Sequence, residues 1–185
     1  MHKLSQTYPK VKLTIIGKAN LPDEQHYKSR LRDMIRELGL EKNIVFIDYQ
    51  KEIARYYAVM DLFILPSSYE GLPNVILEAA VMGIPIVAFD CGGVKEIFEI
   101  CPNAGCSVPV SDMGGFYNCV EATVRNIYAH RNDGRQSERF SETISENWSV
   151  DGMLRRTDSL YEYLLETSSF PKPATPSAGI KVHQQ

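Results

Sequence analysis

The stretch Leu62-Phe-Ile-Leu65-Pro-Ser-Ser-Tyr-Glu70-Gly-Leu-Pro-Asn74-Val-Ile-Leu-Glu78-Ala-Ala80 decides how this chain folds. Its first four residues are a short apolar run closed by a proline, the pattern of a buried strand. Gly71 permits a tight turn. Pro73 suits the first turn of a helix, where a missing N–H loses no hydrogen bond. Strand, turn and helix therefore follow one another. Glu70 lies in the loop at the carboxyl end of the strand. Glu78 lies about one turn into the helix, roughly 6 Å along its axis from Asn74. In an open α/β sheet, ligands bind outside the carboxyl ends of the strands, and free N–H groups at a helix start attract phosphate. Two carboxylates beside such an anion site suit a polyhydroxylated, phosphorylated ligand of the sugar-nucleotide kind.

The same alternation extends in both directions. Residues 11–16 read as a strand closed by Gly17, and a helix follows to about Leu38, with Asp23 placed to cap it. Tyr27, Leu31, Met34, Ile35 and Leu38 repeat at helical spacing, and Gly39 stops the helix. Residues 44–47 form a second strand. Residues 51–60 form a short helix with Ile53, Tyr56, Tyr57 and Met60 inward. The helix that carries Glu78 ends at Gly83, and residues 84–89 form a fourth strand. Gly92-Gly93 opens a short helix with Val94, Ile97 and Phe98 inward, and residues 106–110 form a fifth strand. Helices are then expected from Asp112 to His130, over 135–146, and from Ser149 to Glu166. Strands alternating with helices predict an α/β fold, a Rossmann-like parallel sheet with helices on both faces and a helical C-terminal segment. Short apolar strands agree, because strands of a parallel sheet are buried on both sides. Residues 1–166 form the folded domain; the Ser/Pro-rich tail 167–185 cannot bury a core and is expected to be disordered.

Length and composition bound the function. The 185 residues allow one domain with a sizeable core, and a hydrophobic content of 44% is ordinary for a soluble protein. A net charge of −3 gives no reason to expect a nucleic-acid partner. No apolar run approaches the roughly 18 residues that span a membrane, and the N-terminus lacks the apolar stretch of a signal peptide. The expected compartment is the cytoplasm. Cys91, Cys101, Cys106 and Cys119 lack the paired short spacings of a zinc site. In that compartment they are expected to be reduced and structural.

Candidate site residues fall on the carboxyl-end loops and, for Asn74 to Glu78, on the first turns of the helix that follows one of them. Each also has a plain structural reading, as a loop carboxylate, a solvated helix residue, a surface lysine or a polar turn. Glu78 is flanked by Ile76, Leu77, Ala79 and Ala80, and a carboxylate in apolar surroundings needs a partner, which sugar or ribose hydroxyls can supply. On the turn that Pro73 shapes, the backbone N–H groups of Gly71, Leu72 and especially Asn74 and Val75 offer an anion cradle, a weak signal by itself. Gly17 permits close approach of a ligand, and Lys18 can meet a phosphate. Ile47-Asp48-Tyr49 can read a base through backbone groups. Gly92-Gly93 with Glu96 shares the rim. His2, His26, His130 and His183 lie on helices or tails and receive no role. Trp148 is expected to anchor the C-terminal helices by packing.

Together these segments resemble the retaining glycosyltransferases of family four, which have the GT-B fold of two facing Rossmann-like domains. The resemblance covers roughly residues 8–165. It rests on Lys12-Leu-Thr-Ile-Ile-Gly17, Asn43-Ile-Val-Phe46, the segments 57–61 and 65–67, and above all Glu70-Gly-Leu-Pro-Asn-Val-Ile-Leu-Glu78-Ala. Gly83-Ile-Pro-Ile-Val87, Gly92-Gly-Val-Lys-Glu-Ile97 and the segment 140–148 continue it. It implies that Glu78 holds the donor ribose and that Glu70, the catalytic candidate, contacts the transferred sugar. It also implies that the amides of Gly71 to Val75 hold sugar and diphosphate, and that Ile47 lines the base pocket. Same-face attack with retention gives Glu70 no role as covalent nucleophile. No metal and no cofactor beyond the nucleotide-diphosphate sugar are implied.

The resemblance covers only the donor-binding half of a GT-B fold. The acceptor-binding N-terminal half has no counterpart here; the expectation is a fragment truncated at its N-terminus, with a separate chain supplying that half as the lesser alternative. Its acceptors are often lipid-linked, which would bring peripheral association with the inner membrane face. The first strand of the donor domain, ending in a Gly-Arg pair, and a following loop lysine also have no counterpart. That strand would be central, between 11–16 and 62–65. The expectation is a transferase half with little activity alone. A sugar-nucleotide 2-epimerase is a rival reading, but it wants a rim histidine. A non-catalytic nucleotide-sugar-binding module or partner subunit is the other.

Overall fold

The computed structural model describes residues 1–130 and 148–167. The expected helix over 135–146 and the tail beyond 167 lie outside the described residues. The elements run α1 (His2–Thr7), β1 (Leu13–Ile16), α2 (Pro22–Glu37), β2 (Ile44–Ile47), α3 (Ala54–Tyr57), β3 (Phe63–Leu65), α4 (Asn74–Val81), β4 (Ile86–Asp90), α5 (Val94–Ile100), β5 (Gly105–Pro109), α6 (Met113–Ala129) and, after the undescribed stretch, α7 (Val150–Thr167). A 3-10 turn (Pro102–Ala104) precedes β5.

The strands are parallel, but they form two sheets. β1 pairs with β2 in the register Leu13 to Ile44 through Ile16 to Ile47. β3, β4 and β5 form the second sheet in that order, with Phe63 opposite Ile86 and Ile86 opposite Gly105. β1 and β3 do not pair with one another and each has one partner. The resemblance implies a central strand between these two that has no counterpart in the sequence, and the sheet divides there.

The core is built on β4. Alternate residues of a strand point to opposite faces. Ile86 and Ala88 accordingly join a cluster with Ile76, Ala79, Val94 and Ile97 from α4 and α5. Val87 and Phe89 join a second cluster with Val108 of β5 and Phe116 of α6. Helices thus cover both faces of this sheet. Trp148 packs against the first cluster, as expected.

β1, α2 and β2 differ. None of their residues is fully buried. The stripe expected to face inward on α2 leaves Tyr27, Met34 and Leu38 exposed. A sheet of two strands is too narrow to cover one helix face. The unit is held instead by specific bonds. Buried Asn43 donates from Nδ2 to the carbonyls of Pro9 (3.2 Å) and Val11 (2.8 Å). Just past α1, Tyr8 reaches α6 through its ring pair with Tyr128, 5.0 Å between centroids.

Local signals behave largely as read. Gly39 and Gly83 adopt φ of +64° and +65° just after α2 and α4, where only glycine turns the chain cheaply. The Asp112 carboxylate accepts from the Gly115 N–H at 2.8 Å, and Ser149 Oγ from the Gly152 N–H at 3.1 Å. Two expectations are corrected. α2 begins at Pro22, ahead of Asp23, and Glu24 closes its start by accepting from the N–H groups of Asn20 and Leu21. Cys106 and Cys119 form a disulfide between β5 and α6, in place of reduced thiols, because the fold brings those two elements together; Cys91 and Cys101 remain free and buried.

Candidate functional site

The loop after β3 is shaped by the loop after β4. The Gly93 N–H donates to the Gly71 carbonyl at 2.7 Å. Gly92 adopts φ +53°, and a Cβ there would lie 2.0 Å from the Glu70 carbonyl oxygen. The glycine pair therefore does more than open α5. It lets the β4 loop lie directly against the Glu70–Gly71 turn and fixes that turn's backbone. Glu70 itself is half-buried. Beside it, Cys91 is buried and its thiol donates to the Ser67 carbonyl at 3.2 Å. Burial, with the Glu70 and Asp90 charges behind it, pushes that thiol above its ordinary range.

α4 begins at Asn74, with Pro73 as N-cap and no side chain capping the first turn. The Ile76 N–H bonds the Pro73 carbonyl at 3.0 Å. The sequence reading places its anion cradle at the N–H groups of Asn74 and Val75, in this uncapped first turn. Leu72 and Val75 are exposed, whereas Pro73 is buried and anchors the turn.

Glu78 stands on the exposed side of α4. Its expected partner is a ligand hydroxyl. The structure adds one from the protein: the Tyr57 hydroxyl donates to Glu78 Oε2 at 2.9 Å. Tyr57 is 3% exposed and packs on Phe63 with ring centroids 5.9 Å apart. Burial first, and then the hydrogen bond to Glu78, raises the Tyr57 pKa well above its ordinary value of 10.0, so the hydroxyl keeps its proton. Sequence reading placed Tyr57 on the inward face of a short helix and gave it no role. The available signal was its hydroxyl, since a buried tyrosine O–H requires an acceptor. Tyr57 and Glu78 line a groove of about 510 Å³ with Ile53, Leu77, Val81 and Trp148.

The other half of the rim lies at β1 and β2. The Gly17 N–H donates to the Ile47 carbonyl at 3.0 Å, so these two predicted donor residues touch. That bond occupies the Ile47 carbonyl, and Gln50 Nε2 donates to the Asp48 carbonyl at 3.1 Å. Lys18, Lys28, Arg32 and Asp48 line a polar cleft of about 390 Å³ beside them. Lys28 pairs with Asp48 at 3.4 Å, and Lys28 and Arg32 both lie over the Phe46 ring, 5.6 and 5.5 Å from its centroid. The predicted residues therefore gather in two groups. Gly17 and Ile47 form one, Glu70 to Glu78 the other, and each group stands on its own sheet. Among the described residues no group of three metal-ligating side chains occurs, and no helix is long and apolar enough to cross a membrane.

Known proteins share this architecture. Sucrose-phosphate synthase from Thermosynechococcus elongatus superimposes with a TM-score of 0.71 at 22% identity, over 90% of this chain and 42% of that one. HepE from Anabaena, solved in complex with UDP, gives a TM-score of 0.71 at 24% identity, over 84% of this chain and 42% of that one. These likenesses establish the fold, a Rossmann-like α/β domain that matches less than half of each of those two chains. Among curated relatives, the lipopolysaccharide core biosynthesis mannosyltransferase LpsB of Rhizobium meliloti is 32% identical over 152 residues, 82% of this chain and 42% of its own length. An uncharacterized glycosyltransferase of Haemophilus influenzae is 36% identical over 97 residues, 52% of this chain and 26% of its own length. The chain thus spans less than half the length of these relatives. The family described as glycosyl transferases group 1 matches residues 1–126, well over half of the 185, and the chain belongs to that family.

Proposed function

We propose that this chain is the donor-binding half of a retaining hexosyltransferase, which moves a sugar from a nucleotide-diphosphate sugar to a glycan or lipid-linked acceptor. One observation carries the reading: exposed Glu78 stands one turn inside α4, whose first N–H groups have no side-chain cap, beside the glycine-buttressed Glu70 turn. Carboxylate and amides at that spacing match a ribose and a diphosphate on one ligand. In this reading the amides from Gly71 to Val75 hold the diphosphate and sugar, Glu78 accepts from the ribose hydroxyls, and Ile47 and Gly17 border the base. Glu70 contacts the transferred sugar on the face where the acceptor attacks. That same-face course retains configuration without a covalent enzyme intermediate. The protein's own amides and charges, with no metal or added cofactor, offset the leaving diphosphate.

The acceptor side belongs to an N-terminal domain, in the same polypeptide or a separate one. That domain's contacts with lipid-linked acceptors would bring the assembly to the inner membrane face from the cytoplasm. The strand expected between β1 and β3 would bring two cations to the diphosphate. Without them, charge developing on the leaving group is poorly stabilised, and the 185 residues alone transfer little or no sugar. Residues 1–166 act as the folded unit. The rival reading is a non-catalytic nucleotide-sugar-binding module; the unjoined edges of β1 and β3 favour it for the isolated chain.

Calorimetric titration of UDP, GDP and ADP into the purified chain tests the reading, with Glu78→Ala as control. Saturable binding of one nucleotide, lost in the variant, is expected. A folded chain that binds none of the three, with or without a co-expressed N-terminal half, would sink it. Sugar transfer that appears only on co-expression separates a transferase half from a binding module.

A further inference from the structure

We infer that Tyr57 is a positioning residue that holds Glu78 ready for a vicinal diol, and so makes the site selective for ribonucleotides over 2′-deoxyribonucleotides. The inference rests on the donor-site reading and goes beyond it by assigning that selectivity to a residue outside the rim. The geometry is specific. Tyr57 is buried, and its ring is held against Phe63. Its hydroxyl reaches out of the core to Glu78 Oε2 at 2.9 Å, with the Val75 carbonyl a distant second acceptor at 3.4 Å. Glu78 is exposed, and Oε1 accepts from no described residue. One oxygen is thus tied to the core and the other is left with its lone pairs for a ligand.

A free glutamate on a helix surface samples many rotamers, and ordering it on binding weakens affinity. Tyr57 removes that cost in advance, because the fold has already fixed the carboxylate's direction. The apolar walls from Ile53, Leu77, Val81 and Trp148 limit the water that competes for the bond. Two neighbouring hydroxyls are the donors that best satisfy one fixed carboxylate oxygen with two lone pairs. They can come from the ribose or from the transferred sugar, and a 2′-deoxy ligand separates these sources, since it alters only the ribose.

The test is calorimetric binding of UDP, GDP and ADP, each beside its 2′-deoxy counterpart, to the wild-type chain and to Tyr57→Phe. The wild type should prefer the ribonucleotide by about tenfold, the worth of one charge-assisted hydrogen bond. Tyr57→Phe should cut that ratio to about twofold and leave 2′-deoxy affinity nearly unchanged. A merely structural role would weaken both ligands alike. Equal discrimination by Tyr57→Phe and wild type would overturn the positioning role and leave the donor reading intact. Failure of the folded wild type to bind any nucleotide, with or without a co-expressed N-terminal half, would overturn both. Glu78→Asp, at an exposed position, is the companion variant. It is one methylene too short to meet Tyr57 and a diol together, and it should also lose the preference; an undiminished ratio there counts against the inference.

Discussion

β4 and β1 are both short, apolar and parallel, yet four of the five residues of β4 are buried and β1 has no buried residue. β4 has a partner strand on each side and helices over both faces, so Ile86, Val87 and Ala88 are fully enclosed. β1 has one partner, and the two-stranded sheet it forms cannot enclose either face. The same residue types therefore earn different stability according to what flanks them. The lesson bears on function, because the two halves of the candidate rim stand on these two sheets. The Glu70–Glu78 half rests on a packed core. The Gly17–Ile47 half rests on a sheet with an open edge, held by the buried Asn43 amide and by α1.

The comparison breaks most sharply under truncation of core side chains. Ile86→Ala should destabilise the fold by about 2–5 kcal/mol, as expected for an enclosed isoleucine. Ile15→Ala in β1 should lose about 1 kcal/mol. Urea denaturation measures both, and equal losses would show that β1 is enclosed after all. Gly92→Ala should come next. It places a Cβ against the Glu70 carbonyl at a φ that disfavours side chains, at roughly 1–3 kcal/mol. It should also weaken nucleotide binding more than its stability loss suggests, because the backbone it displaces belongs to the proposed donor site.

Hydrogen exchange reads the contrast without mutation. Amides of β1 and β2 should exchange at least about tenfold faster than those of β4. A co-expressed N-terminal half that carries the expected central strand should protect β1 and β3 and leave β4 unchanged. Tyr57 adds a pH signature to the packed half. Its pKa is raised in the fold, so its contribution to stability is complete below the unfolded value of 10.0 and is lost as pH climbs from there towards the folded one. The stability of the wild type should therefore fall more steeply above pH 10.0 than that of Tyr57→Phe, measured by thermal denaturation across that range. The smallest effect belongs to the open half: Lys28→Ala removes a partly exposed ion pair with Asp48 and should change stability by about 0–1 kcal/mol.

Much of this architecture is legible along the chain because its signals are local. Apolar runs mark all five strands, Gly39 and Gly83 stop their helices, and Asp112 and Ser149 cap theirs. Glu70, Gly71 and Asn74 announce a strand–turn–helix rim within a dozen residues. Less is legible where a partner comes from far away. Asp23 has the right chemistry to cap α2, yet Pro22 starts the helix and Glu24 closes it. The apolar stripe on α2 says which face turns inward, but not that the sheet beneath is too narrow to bury it.

The sequence by itself determined the order and type of most elements, their parallel arrangement, and the carboxyl-end loops beside which the candidate residues stand, since periodicity, caps and turns act within a few residues. Only the tertiary structure decided that Tyr57 meets Glu78 across 21 positions, that Gly92 supports Glu70, that Gly17 bonds Ile47, and that Cys106 joins Cys119. Those pairings depend on which surfaces the packed helices and sheets bring together, and no local pattern encodes that choice.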